Sequence, residues 1–249
     1  MSAGLARARG IARSLAMYRA IPGRRRRMIG FYARFLGPGD LAFDVGAHVG
    51  SRVGAWRKLG ARVVALEPQP DCLRVLRLLH GRDGGVVIDP RAVGAAPGRA
   101  TLGMSSANPT VSSMSTEWIE SVTAADSRFS TVRWDRSIDV EITTLDALIA
   151  EHGEPAFCKI DVEGFEADVL AGLSRPLRAL SFEYLPFAHD AALAALEQVA
   201  RLGEYRFTYS PVETMRFASD RWLTRAELLA LLERHRPLGR SGDVYARRA

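Results

Sequence analysis

The sequence predicts an α/β fold in which a doubly wound, mostly parallel sheet of about seven strands carries helices on both faces. Two observations predict it. From residue 37 onward, short apolar segments typical of buried strands alternate with segments of helical periodicity. Several of the strand segments also end directly in a turn that contains glycine. The 249 residues are enough for one domain of this kind with an extension.

The first half of the domain is predicted to consist of three strands separated by two helices. Two strands are expected at residues 41–47 and 62–68, and a third strand with its exit loop at residues 85–93; the helices are expected at residues 50–60 and 70–81. Gly60 ends the first helix and Pro70 lies in the first turn of the second, as is typical of these residues. This alternation indicates βαβ units and therefore a parallel sheet.

The second half follows a polar stretch at about residues 103–136, rich in Ser and Thr. We interpret this stretch as an insertion that is either a substrate loop or lid, or a disordered surface excursion. A strand and a short helix follow, with Thr144 as the helix cap and Asp146 in its first turn. The remaining segments predict a strand turning into a helix at 157–173, strands at 178–185, 205–211 and 243–248, and helices at 191–203 and 224–235.

Charge and cysteine content limit the classes of protein to consider. The formal net charge is +6, and no acidic residue precedes Asp40. Cys72 and Cys158 are the only cysteines and lie in segments predicted to be buried, so neither a disulfide framework nor a cysteine-rich metal site is indicated. No apolar run approaches the roughly 18 residues of a membrane-spanning helix. We expect a cytoplasmic protein, and the Arg, Ala and Gly content suggests a bacterial genome rich in GC.

Residues 1–36 form a basic, partly helical extension that precedes the domain at residues 37–249. Its apolar residues fall at roughly helical spacing with arginines between them. Packing on the domain, or a frayed basic arm, is the interpretation we favour. Peripheral contact with a membrane through an interfacial helix and a nucleic-acid-binding arm remain alternatives.

The stretch FDVGAHVGSR carries the main functional signal. Asp44 and Gly46 end a strand at the edge of the sheet where open α/β folds bind ligands, and Gly50 lets the next helix start close to that strand. In a dinucleotide-binding loop the middle position would be glycine, but here His48 occupies it and would crowd a pyrophosphate. A carboxylate at this turn instead favours a ligand that carries an ammonium or sulfonium group.

Glu67 adds a second requirement on the ligand. It ends the next strand, about twenty residues after the first glycine, where an acid can accept hydrogen bonds from both ribose hydroxyls. An adenosine with a cationic amino-acid tail satisfies both acids, and S-adenosylmethionine fits this description. We therefore predict a cofactor site formed by a set of residues at these two strand ends: Asp44, Gly46, Ala47, His48, Gly50, Glu67 and Pro68.

The motifs FDVGAHVGSRVGAW, VVALEPQPDCLRVL, TTLDAL and CKIDVEGFEADVLAGL resemble, in order and spacing, the FkbM family of S-adenosylmethionine-dependent methyltransferases. The resemblance covers roughly residues 41–184, and KIDVEGFEADVL is its most specific part. His48 replaces the asparagine usual in that family. The resemblance implies the Rossmann-like class I methyltransferase fold, with seven strands of which the last is antiparallel. It also implies methyl transfer, usually to an oxygen of a sugar, polyketide or other small metabolite.

Acids at the end of the strand in KIDVEGFE are the candidate catalytic groups, because a hydroxyl needs a base to take its proton. Asp161 is the leading candidate for base or substrate anchor, Glu163 is second, and Glu183 is a candidate for the acceptor site. Glu166 is interpreted as helix N-terminal charge. His189, in the loop after a strand, is an alternative base, although a solvated role is favoured. The three candidate acids could also hold a divalent metal, but we predict none.

Other functions share parts of this pattern. An RNA 2′-O-methyltransferase would have the same fold, but Lys58 and Lys159 are the only lysines and do not supply the Lys-Asp-Lys-Glu set common in those enzymes. His48 disfavours a nicotinamide-dependent oxidoreductase, and the acids disfavour a non-catalytic binding module. We predict a small-molecule or glycan acceptor and no nucleic-acid partner; the oligomeric state and the acceptor's identity stay open.

Overall fold

The computed structural model describes residues 9–16, 21–105, 113–114, 134–212 and 214–249. In this part of the chain, ten strands form a seven-stranded and a three-stranded sheet. The strands are β1 (Leu41–Val45), β2 (Arg62–Leu66), β3 (Val86–Asp89), β4 (Ala92–Val93), β5 (Gly98–Met104), β6 (Arg136–Thr143), β7 (Phe157–Ile160), β8 (Ala179–Tyr184), β9 (Tyr205–Pro211) and β10 (Gly242–Arg248).

The larger sheet has the order β3-β2-β1-β7-β8-β10-β9. Strands β3, β2, β1, β7 and β8 pair in parallel, whereas β10 pairs antiparallel with both β8 and β9. The predicted seven-stranded sheet with an antiparallel last strand is therefore confirmed. The strand order reverses between β1 and β7, and open α/β sheets bind their ligands in the crevice outside the carboxyl ends of the strands at such a point.

The smaller sheet, in the order β4-β6-β5, differs from the prediction. Residues 85–93, expected to form one strand and its exit loop, contain two strands, β3 and β4, and β4 pairs with β6 outside the main sheet. Strand β5 extends to Met104, into the expected insertion, where it pairs antiparallel with β6. This pairing joins segments that are distant in sequence, so local patterns did not reveal it. Of the rest of the expected insertion, residues 105, 113–114 and 134–136 are described, and the others lie outside the described residues.

Helices cover both faces of the main sheet. The labelled helices are α1 (Arg24–Tyr32), α2 (Ser51–Lys58), α3 (Pro70–His80), α4 (Leu145–His152), α5 (Glu166–Ala171), α6 (His189–Leu202) and α7 (Arg225–His235). Local chemistry fixes several of their starts. The Thr144 side chain accepts a hydrogen bond from the Ala147 amide at 3.1 Å, which confirms the predicted cap of α4. Thr224 and Glu227 form a reciprocal capping box at the start of α7.

Alternation along β1 produces the two apolar layers. Leu41, Phe43 and Val45 pack in one buried cluster with residues of α4, α5, α6 and α7. Ala42 belongs to a second cluster with residues of α1, α2 and α3. Because successive side chains of a strand point to opposite faces, these clusters lie on the two sides of the sheet. The layered arrangement holds the carboxyl ends of β1 and β7 in fixed positions.

Part of the basic extension packs into the core of the fold. Phe31 and Tyr32 of α1 are buried, and the Phe35 ring stacks on Phe157 and Tyr245 at centroid distances of 4.7 and 5.6 Å. Residues 9–16 are also helical. Among the helices that the structure describes, none is both long and apolar enough to cross a lipid bilayer. Peripheral membrane contact through the extension stays a prediction.

Candidate active site

A cavity lies at the carboxyl edge of the main sheet and is also lined by residues of the smaller sheet. Eight of the predicted site residues line it: Gly46, Ala47, His48, Glu67, Pro68, Asp161, Glu163 and Glu183. The smaller sheet contributes Ala92, Val93 and Leu102 to the wall. The two predicted residues that do not line the cavity are Asp44 and Gly50, which lie behind its wall.

The turn after β1 requires glycine at two positions for different reasons. Gly46 has φ +83°, and a Cβ there would overlap the carbonyl oxygen of Asp161. The amides of Gly46 and Ala47 both donate to the Leu66 carbonyl, at 3.0 and 2.9 Å. Gly50 has φ +72°, and a Cβ there would lie 2.7 Å from Leu76 Cδ2. Gly46 thus permits close contact between β1 and β7 beside the cavity, whereas Gly50 permits close packing of α2 on α3.

Glu67 links the two loops that border the cavity. Its carboxylate accepts hydrogen bonds from the amides of His48 and Gln69, each at 2.8 Å. Burial raises the pKa of Glu67 to about 7, although both hydrogen bonds act in the opposite direction. His48 itself has φ +50°, a left-handed conformation that few residues other than glycine adopt. Glu67 therefore fixes the strained turn, and its carboxylate, which can accept about four hydrogen bonds, retains room for a further donor.

Asp44 is a buried acid directly behind the cavity wall. It is 1% exposed, and its Oδ2 has no hydrogen-bond partner within the described part of the chain. Burial raises its pKa to about 6, and the positive charges of Arg52 and Lys159 oppose this shift. An unpaired buried carboxylate oxygen costs free energy that surrounding charges must offset. Asp44 therefore contributes a negative field to the turn and does not form its surface.

Asp161 lies between two cations. The Nζ of the fully buried Lys159 donates to Asp161 Oδ2 at 2.7 Å, and Arg52 Nη2 lies 4.0 Å from the same oxygen. Burial raises the pKa of Asp161, but Lys159 and Arg52 outweigh this effect and the net shift is downward. Asp161 is consequently ionised at neutral pH. A carboxylate with a depressed pKa anchors a hydrogen-bond donor well but is a weak base.

Glu163 and Glu183 have the opposite electrostatics. Their carboxylate oxygens and that of Asp161 lie within 4.8 Å of one another. Burial, and then the neighbouring acids, raise the pKa of both glutamates well above the usual range. Glu183 Oε2 is buried and has no hydrogen-bond partner among the described residues. Glu163 adopts the left-handed region at φ +54°, and strain of this kind is common at functional sites.

Two groups of described residues could hold a metal ion: one is Asp89, Glu151 and His152, and the other is the three acids of the cavity, Asp161, Glu163 and Glu183. Oxygen ligands at such distances suit hard divalent cations. Lys159 already compensates one of the three charges, and the raised pKa values of the other two allow them to retain protons. The absence of a metal stays a prediction.

Two other candidates have structural roles. Glu166, at the start of α5, is 4% exposed and accepts hydrogen bonds from the Val162 and Gly164 amides at 3.2 and 3.3 Å. The favoured solvated role of His189 is wrong: it is 2% exposed, and its Nε2 lies 3.0 Å from Glu233 Oε1. Helix α6 begins at this histidine, two residues before the predicted start, and so buries the ring. His189 does not line the cavity.

Sequence reasoning missed three charged residues at the site. Arg52 and Asp243 line the cavity, and Lys159 lies beneath it between two acids, with Nζ 3.6 Å from Asp243 Oδ1. Of the three, only Lys159 could have been identified from the sequence, because a lysine within a buried strand requires a counter-charge. Asp243 could not be found this way, since its position depends on the antiparallel register that pairs it with Glu183.

Comparisons with solved structures find distant matches over most of the chain. A precorrin-6y C5,15-methyltransferase from Geobacter metallireducens is 13% identical, with 90% of this chain and 87% of that chain covered and a TM-score of 0.46. The C-terminal domain of a precorrin-6Y C5,15-methyltransferase from Rhodobacter capsulatus is 15% identical, with 90% and 88% covered and a TM-score of 0.42. No curated protein sequence matches the chain.

A family model described as the methyltransferase FkbM domain matches residues 44–218. This range is well over half of the chain and contains all of the motifs on which the resemblance was based except Phe43, the first residue of FDVGAHVGSRVGAW. It also includes all of the predicted catalytic and cofactor-binding residues. The chain therefore belongs to the FkbM family of S-adenosylmethionine-dependent methyltransferases.

Proposed function

We propose that this methyltransferase methylates a hydroxyl oxygen of a small metabolite, sugar or glycan. The observation that carries the proposal is the pair of contrasting carboxylates in one cavity. Asp161 has a depressed pKa, whereas Glu183 has a strongly raised pKa, and their oxygens lie within 4.8 Å. Environments that push the pKa values of neighbouring acids apart are typical of sites that divide anchoring and proton transfer between two groups.

The cavity fits the cofactor that the family uses. The acids that line it suit a ligand with ammonium and sulfonium charges, and Glu67 retains lone pairs for ribose hydroxyls. Gly46, Ala47 and His48 form the backbone turn on which the nucleoside would lie. S-adenosylmethionine, when bound, supplies an electrophilic methyl group. A pyrophosphate would meet several carboxylates and the His48 side chain, so a dinucleotide fits this cavity poorly.

Within this site, Glu183 is the proposed base and Asp161 the proposed anchor. Glu183 has a raised pKa and a free buried oxygen, so once deprotonated it is the stronger base of the two. Asp161, held by Lys159 at 2.7 Å, would accept a hydrogen bond from the acceptor and orient it. Burial and the neighbouring acids also raise the pKa of Glu163, so it can share the proton with Glu183. This assignment revises the expectation that Asp161 is the first candidate for the base.

The smaller sheet supports a small acceptor. Ala92, Val93 and Leu102 give one wall of the cavity an apolar surface, and Met114 adds to it. An apolar wall excludes water from the reacting groups, so a bound hydroxyl competes with less solvent for the methyl group. The described walls carry Arg52 and Arg91 as cations, but Arg91 is already paired with Asp89 and Glu151 at 2.7 and 2.8 Å. The cavity therefore offers little to a polyanionic acceptor such as RNA.

Calorimetric titration with S-adenosylhomocysteine and, separately, with NAD tests the cofactor. We expect saturable binding of S-adenosylhomocysteine and no binding of NAD; the reverse result would exclude the proposal.

A screen of hydroxylated sugars and small metabolites with labelled S-adenosylmethionine then tests the acceptor. Asp190→Asn serves as the matched control for variants of the site acids, because Asp190 is an exposed residue in the first turn of α6. Label transfer to amines alone would contradict hydroxyl methylation.

A further inference from the structure

A second concave surface lies at the amino edge of the sheet, opposite the active site. We call it the arginine groove, and it is lined by five exposed arginines: Arg34, Arg178, Arg216, Arg247 and Arg248. Three aromatic side chains and Ala179 complete most of its surface, and its volume is about 700 Å³. That volume falls within the range of small-molecule sites.

The fold separates the groove from the methyltransferase site. Strand β8 contributes Ala179 at its first residue to the groove and Glu183 near its last residue to the active site. At about 3.3 Å per residue, the two positions are roughly 13 Å apart along the strand. The groove is therefore a distinct surface and not an extension of the acid-lined cavity.

The arginines lack acidic partners. Asp220 is the single acid among the described residues that line the groove. No ion pair within the described ranges joins any of the five arginines to a carboxylate. Strand pairing brings several of them together, because Arg247 pairs with Ala179 and the Arg248 amide donates to the Arg178 carbonyl at 3.0 Å. Five cations gathered beside a single acid repel one another, and a bound anion would relieve that repulsion.

Aromatic rings hold two of the guanidinium groups in place. The Arg247 guanidinium carbon lies 4.2 Å from the centroid of Trp222, and that of Arg34 lies 5.4 Å from the centroid of Phe217. A cation this close to an aromatic ring is attracted to it, which restrains the side chain. In addition, Arg178 Nη2 donates to the Phe35 carbonyl at 3.0 Å. Guanidinium groups restrained in this way lose less freedom when their paired N–H donors bind phosphate oxygens.

We propose that the arginine groove binds a phosphate-bearing ligand. A phosphate with two negative charges matches the cluster of cations, and its oxygens match the paired N–H donors of arginine. The phosphate could belong to a free small molecule or to a lipid headgroup, and both offer the same chemistry to the groove. The groove is a separate site from the methyltransferase cavity, since the two share no lining residue.

Titration with inorganic pyrophosphate at constant ionic strength tests the proposal. The wild-type chain is expected to bind pyrophosphate saturably, with a change in Trp222 fluorescence. The double variant Arg216→Gln with Arg247→Gln is expected to lose at least about tenfold in affinity. The matched control is Arg77→Gln with Arg234→Gln, which removes two exposed arginines that do not line the groove and should change the affinity by less than about twofold.

Three further measurements separate phosphate binding from effects on the fold and identify the source of the phosphate. Arg216→Gln alone removes an exposed side chain, so a loss of affinity in it does not reflect lost packing on Trp222. Unchanged S-adenosylhomocysteine affinity in all variants shows that the fold and the methyltransferase site are intact. Sedimentation with phosphatidylcholine vesicles, with and without phosphatidic acid, then identifies the source, since a loss confined to the vesicle assay indicates a lipid headgroup. Equal binding of both probes to the groove variant and the control variant would overturn the proposal.

Discussion

The two edges of the main sheet both concentrate charge, but they differ in sign and in burial. At the carboxyl edge, Asp44 and Glu67 are 1% and 2% exposed, and burial raises the pKa of Asp44 to about 6 and that of Glu67 to about 7. At the amino edge, the arginines of the groove are exposed. Buried carboxylates change charge near neutral pH and can therefore exchange protons. Exposed arginines are cations that can bind an anionic ligand but do not take part in proton exchange.

The largest effect on the carboxyl edge is expected from Gly46→Ala. The new Cβ would overlap the Asp161 carbonyl oxygen and force a residue with a side chain into φ +83°. We expect a loss of about 2–5 kcal/mol in the free energy of unfolding and no measurable S-adenosylhomocysteine binding. Denaturant unfolding and calorimetry check this. Gly84→Ala is the control, because a Cβ at Gly84 meets nothing within 4 Å; equal stability of the two variants would contradict the tight contact.

Glu183→Gln is expected to reduce turnover by about 10²–10⁴-fold, because it removes the proposed base. In the wild type, the rate should rise with pH as Glu183 loses its proton, since its folded-state pKa is raised well above the usual range. The variant should lose that rise. Rate measurements across pH with the acceptor found by screening check this. If the pH profile of the variant matches that of the wild type, Glu183 is not the base, and Glu163 becomes the next candidate.

Asp161→Asn is expected to reduce turnover by about 100-fold while S-adenosylhomocysteine affinity stays within about tenfold. The reason is that the amide keeps the shape of Asp161 but loses the charge that Lys159 holds at 2.7 Å and that orients the acceptor. Steady-state kinetics and calorimetry separate the two effects. Asp190→Asn should behave as the wild type, and full activity in Asp161→Asn would refute the anchoring role.

A smaller effect concerns the pH dependence of cofactor binding. Glu67 has a pKa of about 7, and its ionised form is the better acceptor for ribose hydroxyls. If only the ionised form binds well, S-adenosylhomocysteine affinity should rise about tenfold between about pH 6 and pH 8. Calorimetry at several pH values checks this. The rise should be absent in Glu67→Gln and present in Glu141→Gln, which replaces an exposed acid of β6.

Glu67 also makes a prediction about stability. The folded state keeps the proton up to about pH 7, whereas an unfolded glutamate releases it near pH 4.5. Between about pH 4.5 and pH 7 the folded state therefore binds more protons than the unfolded state. The contribution of Glu67 to the free energy of unfolding decreases as the pH rises through this range. Unfolding experiments at each pH should therefore show a shallower decrease in Glu67→Gln than in the wild type.

The smallest expected effect is that of chelation. Exhaustive treatment with EDTA should leave turnover unchanged, because Lys159 and retained protons already compensate the cluster of Asp161, Glu163 and Glu183. Activity assays before and after treatment check this. A loss of activity that added Mg²⁺ restores would show that these acids hold a metal.

The carboxyl edge was largely predictable and the amino edge was not. A glycine turn after an apolar strand and an acid at the end of the next strand are local signals, and they identified Gly46 and Glu67 correctly as neighbours in one cavity. The arginine groove has no such signal. Its residues come from the turn after α1, the start of β8, the end of β10 and the connection after β9, which meet only when the sheet is assembled.

Within the site, the limit of the sequence was the pairing of charges. Asp161 was found as a site residue, but its role depends on Lys159 and Arg52, which set its pKa. Asp243 was missed because it lies on an antiparallel strand that ends far from the other acids in sequence. The error at His189 has the same origin, since two residues of extra helix decide whether its ring is buried or solvated.

The sequence by itself determined the α/β layers, the seven-stranded sheet, the family and most of the residues around the cavity. It did so because strand periodicity and glycine turns are properties of neighbouring residues. Tertiary structure alone decided the smaller sheet, the protonation of each acid and the gathering of arginines at the opposite edge. Burial and the distance between charges set those features, and both depend on segments that meet only in the folded chain.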